Sequence, residues 1–170
     1  MFGFLKRFFE GKQTKKQRTI KTEIPDGYCL FPDDIGEDVI VDFNFFVKGV
    51  HHRKANIIKW ATGENLALTH RREPSNKYDP NAIAIYGTSS NGKFKLGYID
   101  ADLAEVLVET ELHKGMKLAI KNVEITDKIS KEDKKKGFDM RILIEYEIYA
   151  PCEKIKSKKV LQYLKDENYI

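Results

Sequence analysis

The sequence predicts a small, mostly β fold: an antiparallel sheet or barrel with one internal helix. Three observations predict it. Six or more short segments alternate apolar and polar residues or are rich in β-branched ones. These segments do not alternate regularly with helices, which disfavours a parallel α/β sheet. Finally, Ser90-Asn91-Gly92 is a hairpin turn, because Asn-Gly readily supplies the positive φ angles that tight hairpins need.

Taken in chain order, residues 1–10 read as a short amphipathic helix. Phe2, Leu5, Phe8 and Phe9 fall at helical spacing, with Lys6, Arg7 and Glu10 between them. Residues 11–22 are basic and aperiodic, as in a flexible tether. Pro25, Gly27, Pro32 and Gly36 interrupt residues 23–38, which read as an extended lead-in. Strands are predicted over Val39–Val50, Leu66–Arg72, Asn81–Tyr86, Phe94–Ile99, Lys117–Thr126 and Phe138–Tyr149, with a short extended piece at Ile57–Trp60. Asp100 is placed as the N-cap of a helix whose buried stripe is Leu103, Ala104, Val106, Leu107 and Leu112, stopped at Gly115. Lys128–Gly137 reads as a solvated loop, and Ser157–Glu167 as a closing helix with Val160, Leu161 and Leu164 on one side.

Composition sets limits on function. Apolar residues make up 41% of the 170-residue chain and charged residues 33%, enough apolar material for one core. No apolar run approaches the roughly 20 residues of a bilayer-spanning helix. Residues 1–10 lack the h-region and cleavage site of an export signal. Cys29 and Cys152 sit in no metal spacing and read as two unrelated free thiols, so a cytoplasmic location is expected. Seven of the 30 basic residues but only one of the 26 acidic ones lie in residues 1–22. The remainder holds 23 basic and 25 acidic residues, so any nucleic-acid contact it makes is expected to be local and geometric.

The most informative stretch joins the second predicted strand to the third: Arg72-Glu73-Pro74-Ser75-Asn76-Lys77-Tyr78-Asp79-Pro80-Asn81-Ala82. Pro74 and Pro80 fix φ and bias the residues before them towards extended geometry. Read alone, this is a capped turn in which Asn and Asp bond their own backbone and Tyr78 lays its ring on the sheet. Together with Lys95-Leu96-Gly97-Tyr98-Ile99 downstream and Val47-Lys48-Gly49-Val50 upstream, the pattern resembles the HIRAN family over about residues 39–150. Residues 151–170 beyond it hold the closing helix.

The resemblance implies a six-stranded OB-like antiparallel barrel with short α-helices. It also implies a module that binds the 3′ end of single-stranded DNA, in the setting of DNA repair or replication and their proteins. The site it points to is Asn76, Tyr78 and Asp79, with His51, His52, Arg53 and Tyr98 carried over from flanking positions. A carboxylate accepts a hydrogen bond from a free 3′-hydroxyl but repels a 3′-phosphate, which suits Asp79 to a 3′-OH end. Tyr78 offers a stacking face for a terminal base, and Asn76 can donate to a phosphate or a base edge. His51-His52 stands where the family's DNA binder has Arg-Tyr; Tyr98 replaces a His, and Lys77 a Pro. Tyr98 reads equally as an aromatic packed over the barrel.

Other chemistry finds little support. Adjacent histidines on a strand point to opposite faces, so His51, His52 and His70 are not expected to share a metal. The sequence holds no phosphate-binding Gly-rich loop, Gly-x-Ser-x-Gly elbow or His-Glu-x-x-His motif. A non-enzymatic binder without cofactor is therefore expected. The second reading is an interaction protein that keeps the fold and uses residues 1–22 against a membrane surface or a partner's groove.

Overall fold

The computed structural model describes residues 23–170, so the amphipathic segment and tether at 1–22 lie outside the described residues. Among the described residues, six strands form two three-stranded antiparallel sheets. One sheet has the order β1-β6-β5, built from Tyr28–Phe31 (β1), Lys117–Thr126 (β5) and Arg141–Pro151 (β6). The other has the order β2-β3-β4, built from Ala67–Arg72, Ile83–Ser89 and Gly92–Tyr98. The strand count and the antiparallel pairing agree with the expectation, but among the described residues no closed barrel is seen. β2 packs against β5, yet no ladder joins the two sheets there.

What joins them is the segment predicted as a strand at Val39–Val50. It makes only two isolated bridges, Phe46 with Glu145 on β6 and Lys48 with Tyr98 on β4. Two local features prevent a longer strand. Asn44 Oδ1 accepts from the Phe46 backbone N–H at 3.0 Å, folding the chain on itself. Gly49 adopts φ 74°, which turns the chain into a 3-10 turn at Val50–Arg53. Its buried residues, Phe43, Val47 and Val50, are spaced by four and three, not by two.

The expectation at Ile57–Trp60 is also corrected, since this piece belongs to helix α1, Lys54–Ala61. A short apolar run fits either period. Here Ile57 and Trp60, three apart, are the fully buried pair. Trp60 donates its indole N–H to the Thr88 carbonyl at 3.0 Å and seats the helix against β3. A Cβ on Gly87 would lie 2.7 Å from the Trp60 nitrogen, so the glycine makes room for the indole.

Helix α2, Ala101–Glu109, follows Asp100 as expected but ends before the expected stop at Gly115; all five residues of the predicted stripe are fully buried, with Leu112 in the turn beyond the helix. Asp100 occupies the N-cap position without a side-chain capping bond. Its carboxylate instead lies 3.2 Å from the Lys48 ammonium. The exposed stretch at Lys128–Gly137 contains a single turn, α3 (Lys131–Lys135), capped by Ser130 accepting from the Asp133 N–H. α4 (Cys152–Ile155) leads into α5 (Lys158–Asp166), which Ser157 caps. Val160 and Leu164 of α5 join the same core as the sheets, while Leu161 is half-buried.

The lead-in is not merely extended, because it supplies β1. That strand runs antiparallel to the end of β6 with Cys29 opposite Ala150, which sets Cys29 beside Cys152. The two cysteines form a disulfide with Cα atoms 4.9 Å apart. The expectation of two free thiols fails because 123 residues of sequence separation say nothing about distance once two strands pair. The cysteine-based ground for a cytoplasmic location is removed with it.

Gly97 explains one fixed point of the sequence pattern. A Cβ there would sit 2.1 Å from the Lys48 carbonyl oxygen and 2.6 Å from the Val47 side chain. Gly97→Ala is therefore expected to lower the unfolding free energy by at least about 1–3 kcal/mol, read from urea titration. Breaking the disulfide, by reductant or as Cys29→Ser with Cys152→Ser, is expected to remove a further ~2–4 kcal/mol in the same assay.

Candidate nucleic-acid interface

The loop between β2 and β3 is closed at its neck, where the Glu73 N–H donates to the Ala82 carbonyl at 2.8 Å. Inside the neck the loop bonds to itself. Asn76 Oδ1 accepts from the backbone of Tyr78 at 3.0 Å and of Asp79 at 3.4 Å. Asp79 Oδ1 accepts from the Asn81 N–H at 2.7 Å. The capped-turn chemistry is thus present as expected from Asx residues. The Tyr78 ring, however, does not lie on the sheet. The residue is 84% exposed at the loop tip, and the Lys77 ammonium sits 4.7 Å from its ring centre.

Behind the loop lies a polar network. Lys95 Nζ donates to Glu73 Oε1 at 2.7 Å and to the Tyr98 hydroxyl at 2.8 Å. The Tyr98 hydroxyl donates to Glu73 Oε2 at 3.0 Å, and the Asn76 amide reaches the same hydroxyl at 3.5 Å. The Arg53 guanidinium lies 5.3 Å from the Tyr98 ring centre, within cation–π range. The hydrogen bond from Lys95 holds the Glu73 carboxyl below its ordinary range, against partial desolvation and with help from Tyr98 and Asn76. Burial pulls Lys95 downward, but its bonds to Glu73 and Tyr98 outweigh this and leave it raised.

A β-bulge makes the network possible. Ile85 pairs with Gly97 while Tyr86 pairs with Lys95, so Leu96 is an extra residue on β4. In a regular strand, residues three apart point to opposite faces. The inserted residue brings Lys95 and Tyr98 onto the same side. Glu73 and Lys95 are the functional-site residues that sequence reasoning missed, since alternation reads no bulge. The available signal was the Glu between Arg72 and Pro74 at a strand end.

Of the predicted site residues, Asn76, Arg53 and Tyr98 are thus brought into one cluster, and Tyr78 and Asp79 are held on the adjoining loop. The Tyr98 hydroxyl is engaged with Lys95, Glu73 and Asn76 within the protein. His51 is directed elsewhere, stacking on Phe138 at 4.3 Å. His52 is exposed. Both lie on a 3-10 turn and not on a strand, so the argument from opposite strand faces does not apply to them. His70 is remote in role. Its Nε2–H donates to the His113 carbonyl at 3.1 Å, and burial keeps its pKa below the ordinary histidine value.

Comparison with known proteins bears on this arrangement. The profile of the HIRAN domain matches residues 40–146, which contain the loop, the network, the whole β2-β3-β4 sheet and the first part of β6. The chain belongs to the HIRAN domain family, and membership implies a DNA-binding module. The crystal structure of the HIRAN domain of human HLTF is similar over 82% of this chain and 95% of that one, at 18% identity and a TM-score of 0.38. A comparison with curated proteins returned no match.

The Glu73 network has a defined pH signature. A carboxyl with a lowered folded-state pKa stabilises fully above its ordinary value of 4.5, and that contribution disappears as pH falls through the lower folded-state value. Glu73→Gln is expected to be less stable than wild type by about 1 kcal/mol at neutral pH. The gap closes when thermal melts are repeated below pH 4.5.

Proposed function

We propose that this chain is a non-catalytic module that recognises the 3′-hydroxyl end of single-stranded DNA in repair or replication. The observation that carries the reading is the exposed Tyr78 ring, held next to the Asp79 carboxylate by a loop that already satisfies its own backbone. Such a loop loses little conformational freedom when a ligand arrives. The terminal base stacks on Tyr78. The free oxygen of Asp79 accepts the 3′-hydroxyl proton, and its charge disfavours a terminal phosphate. Arg53 and the Asn76 amide face the first phosphate, with the exposed His52 as a further donor. Lys95, its charge balanced by Glu73, holds the Tyr98 hydroxyl in place.

Fluorescence anisotropy with matched oligonucleotides ending in 3′-OH or 3′-phosphate tests this reading. The 3′-OH strand is expected to bind more tightly, and Asp79→Ala to abolish the difference. Tyr78→Ala is expected to weaken both strands by about 1–3 kcal/mol. Equal affinity of the wild-type protein for the two ends would sink the role given to Asp79.

A further inference from the structure

The outer face of the β2-β3-β4 sheet holds a second aromatic ring in a setting like that of Tyr98. Tyr86 pairs across the sheet with Thr69 on β2 and Lys95 on β4. The register also pairs Ala84 with both Arg71 and Tyr98, and Thr88 with both Ala67 and Lys93. Arg71 and Lys93 are therefore diagonal neighbours of Tyr86, from opposite strands and towards opposite ends of its ring. Their cationic groups lie 5.7 and 5.1 Å from the ring centre. Tyr98 is a diagonal neighbour too, a Cα spacing of roughly 7–8 Å. That is on the scale of one nucleotide of an extended strand.

Charge reinforces the pattern. On this face the strands carry Arg71, Lys93 and Lys95; Glu73, one residue past β2, pairs with Lys95 at 2.7 Å and lies 3.9 Å from Arg71, which leaves Lys93 without a carboxylate partner among the described ion pairs. The other sheet balances Lys117, Lys121 and Arg141 against Glu124, Glu145 and Glu147. Residues 23–170 as a whole are slightly acidic, so this face departs from the average of the domain. Basic side chains interleaved with aromatic rings are the means by which single strands are bound without sequence preference.

We propose that this face is a second nucleotide station, at which Tyr86 stacks a base internal to the 3′ end of single-stranded DNA while Arg71 and Lys93 hold the flanking phosphates. Both cations are exposed and sit on flexible stems, so either can leave the ring face to a base and turn to a phosphate. The station rests on the end-binding reading only for the direction in which the strand runs, from Tyr78 past Tyr98 to Tyr86.

The test measures affinity of the full chain for 3′-OH oligodeoxythymidines from about 2 to about 12 nucleotides, a range bracketing single-strand site sizes. Wild-type affinity is expected to rise with length. Tyr86→Ala is expected to lose roughly 5- to 100-fold on the long strands and nothing on the shortest, keeping the preference for 3′-OH over 3′-phosphate. Tyr86→Phe should behave as wild type. Arg71→Gln with Lys93→Gln should lower the steepness of the salt dependence by about 0.7 per lost phosphate contact, and it carries the test if Tyr86→Ala does not fold. A wild-type length series that is flat, or that the folded variants leave unchanged, overturns the station even where the end preference is intact. Conversely, a Tyr86-dependent length gain without end preference keeps the station and overturns the role of Asp79.

Discussion

Lys48 and Tyr98 exchange both backbone hydrogen bonds, at 2.8 and 3.0 Å, and through them two separate sheets behave as one scaffold. The same crossing segment bonds β6 through Val47 to Ile144 and through Phe45 to Tyr146, each at 3.0 Å. Backbone approach this close is possible only because residue 97 has no side chain. From this junction the rest follows. Tyr98 is fixed beside Lys95 and Glu73, Asp100 is drawn to Lys48 at the start of α2, and the turn at Gly49 delivers Arg53 to the Tyr98 ring. A candidate cluster assembled from three stretches of chain thus depends on one short exchange of main-chain bonds.

The legible part of the fold was the part governed by local pattern. The Ser90-Asn91-Gly92 turn, β2 to β5 and the buried stripe of α2 all follow from periodicity and turn chemistry, and the structure keeps them within a few residues. The illegible part was set by contacts across the chain. Val39–Val50 has strand-like composition, but a local Asx bond and a positive φ divide it, and its bonding partners lie on two different sheets. Ile57–Trp60 is too short for its period to be read. The pairing of Cys29 with Cys152 depends on β1 lying beside β6, which no local pattern announces.

The candidate site divides in the same way. Asn76, Tyr78 and Asp79 could be found because loop residues at fixed spacing carry a family pattern. Glu73 and Lys95 could not, because their partnership exists only after a bulge shifts the phase of β4. The consequence is an electrostatic division of labour. Lys95 is neutralised by Glu73 and serves to orient Tyr98, whereas Arg53 and Lys93 lie against aromatic faces, and Arg71 sits between the Tyr86 ring and a longer 3.9 Å contact with Glu73. In a domain close to charge balance, placement of cations beside rings matters more than their number.

The bridge between Cys29 and Cys152 has one more consequence, which concerns topology. It ties the start of β1 to the end of β6 and turns everything between them into a covalent ring. The exposed stretch at Lys128–Gly137, dense in lysine, is an open target for trypsin-like cleavage. A single cut there would leave both halves attached to each other, so the nicked domain would migrate as one species until the bridge is reduced.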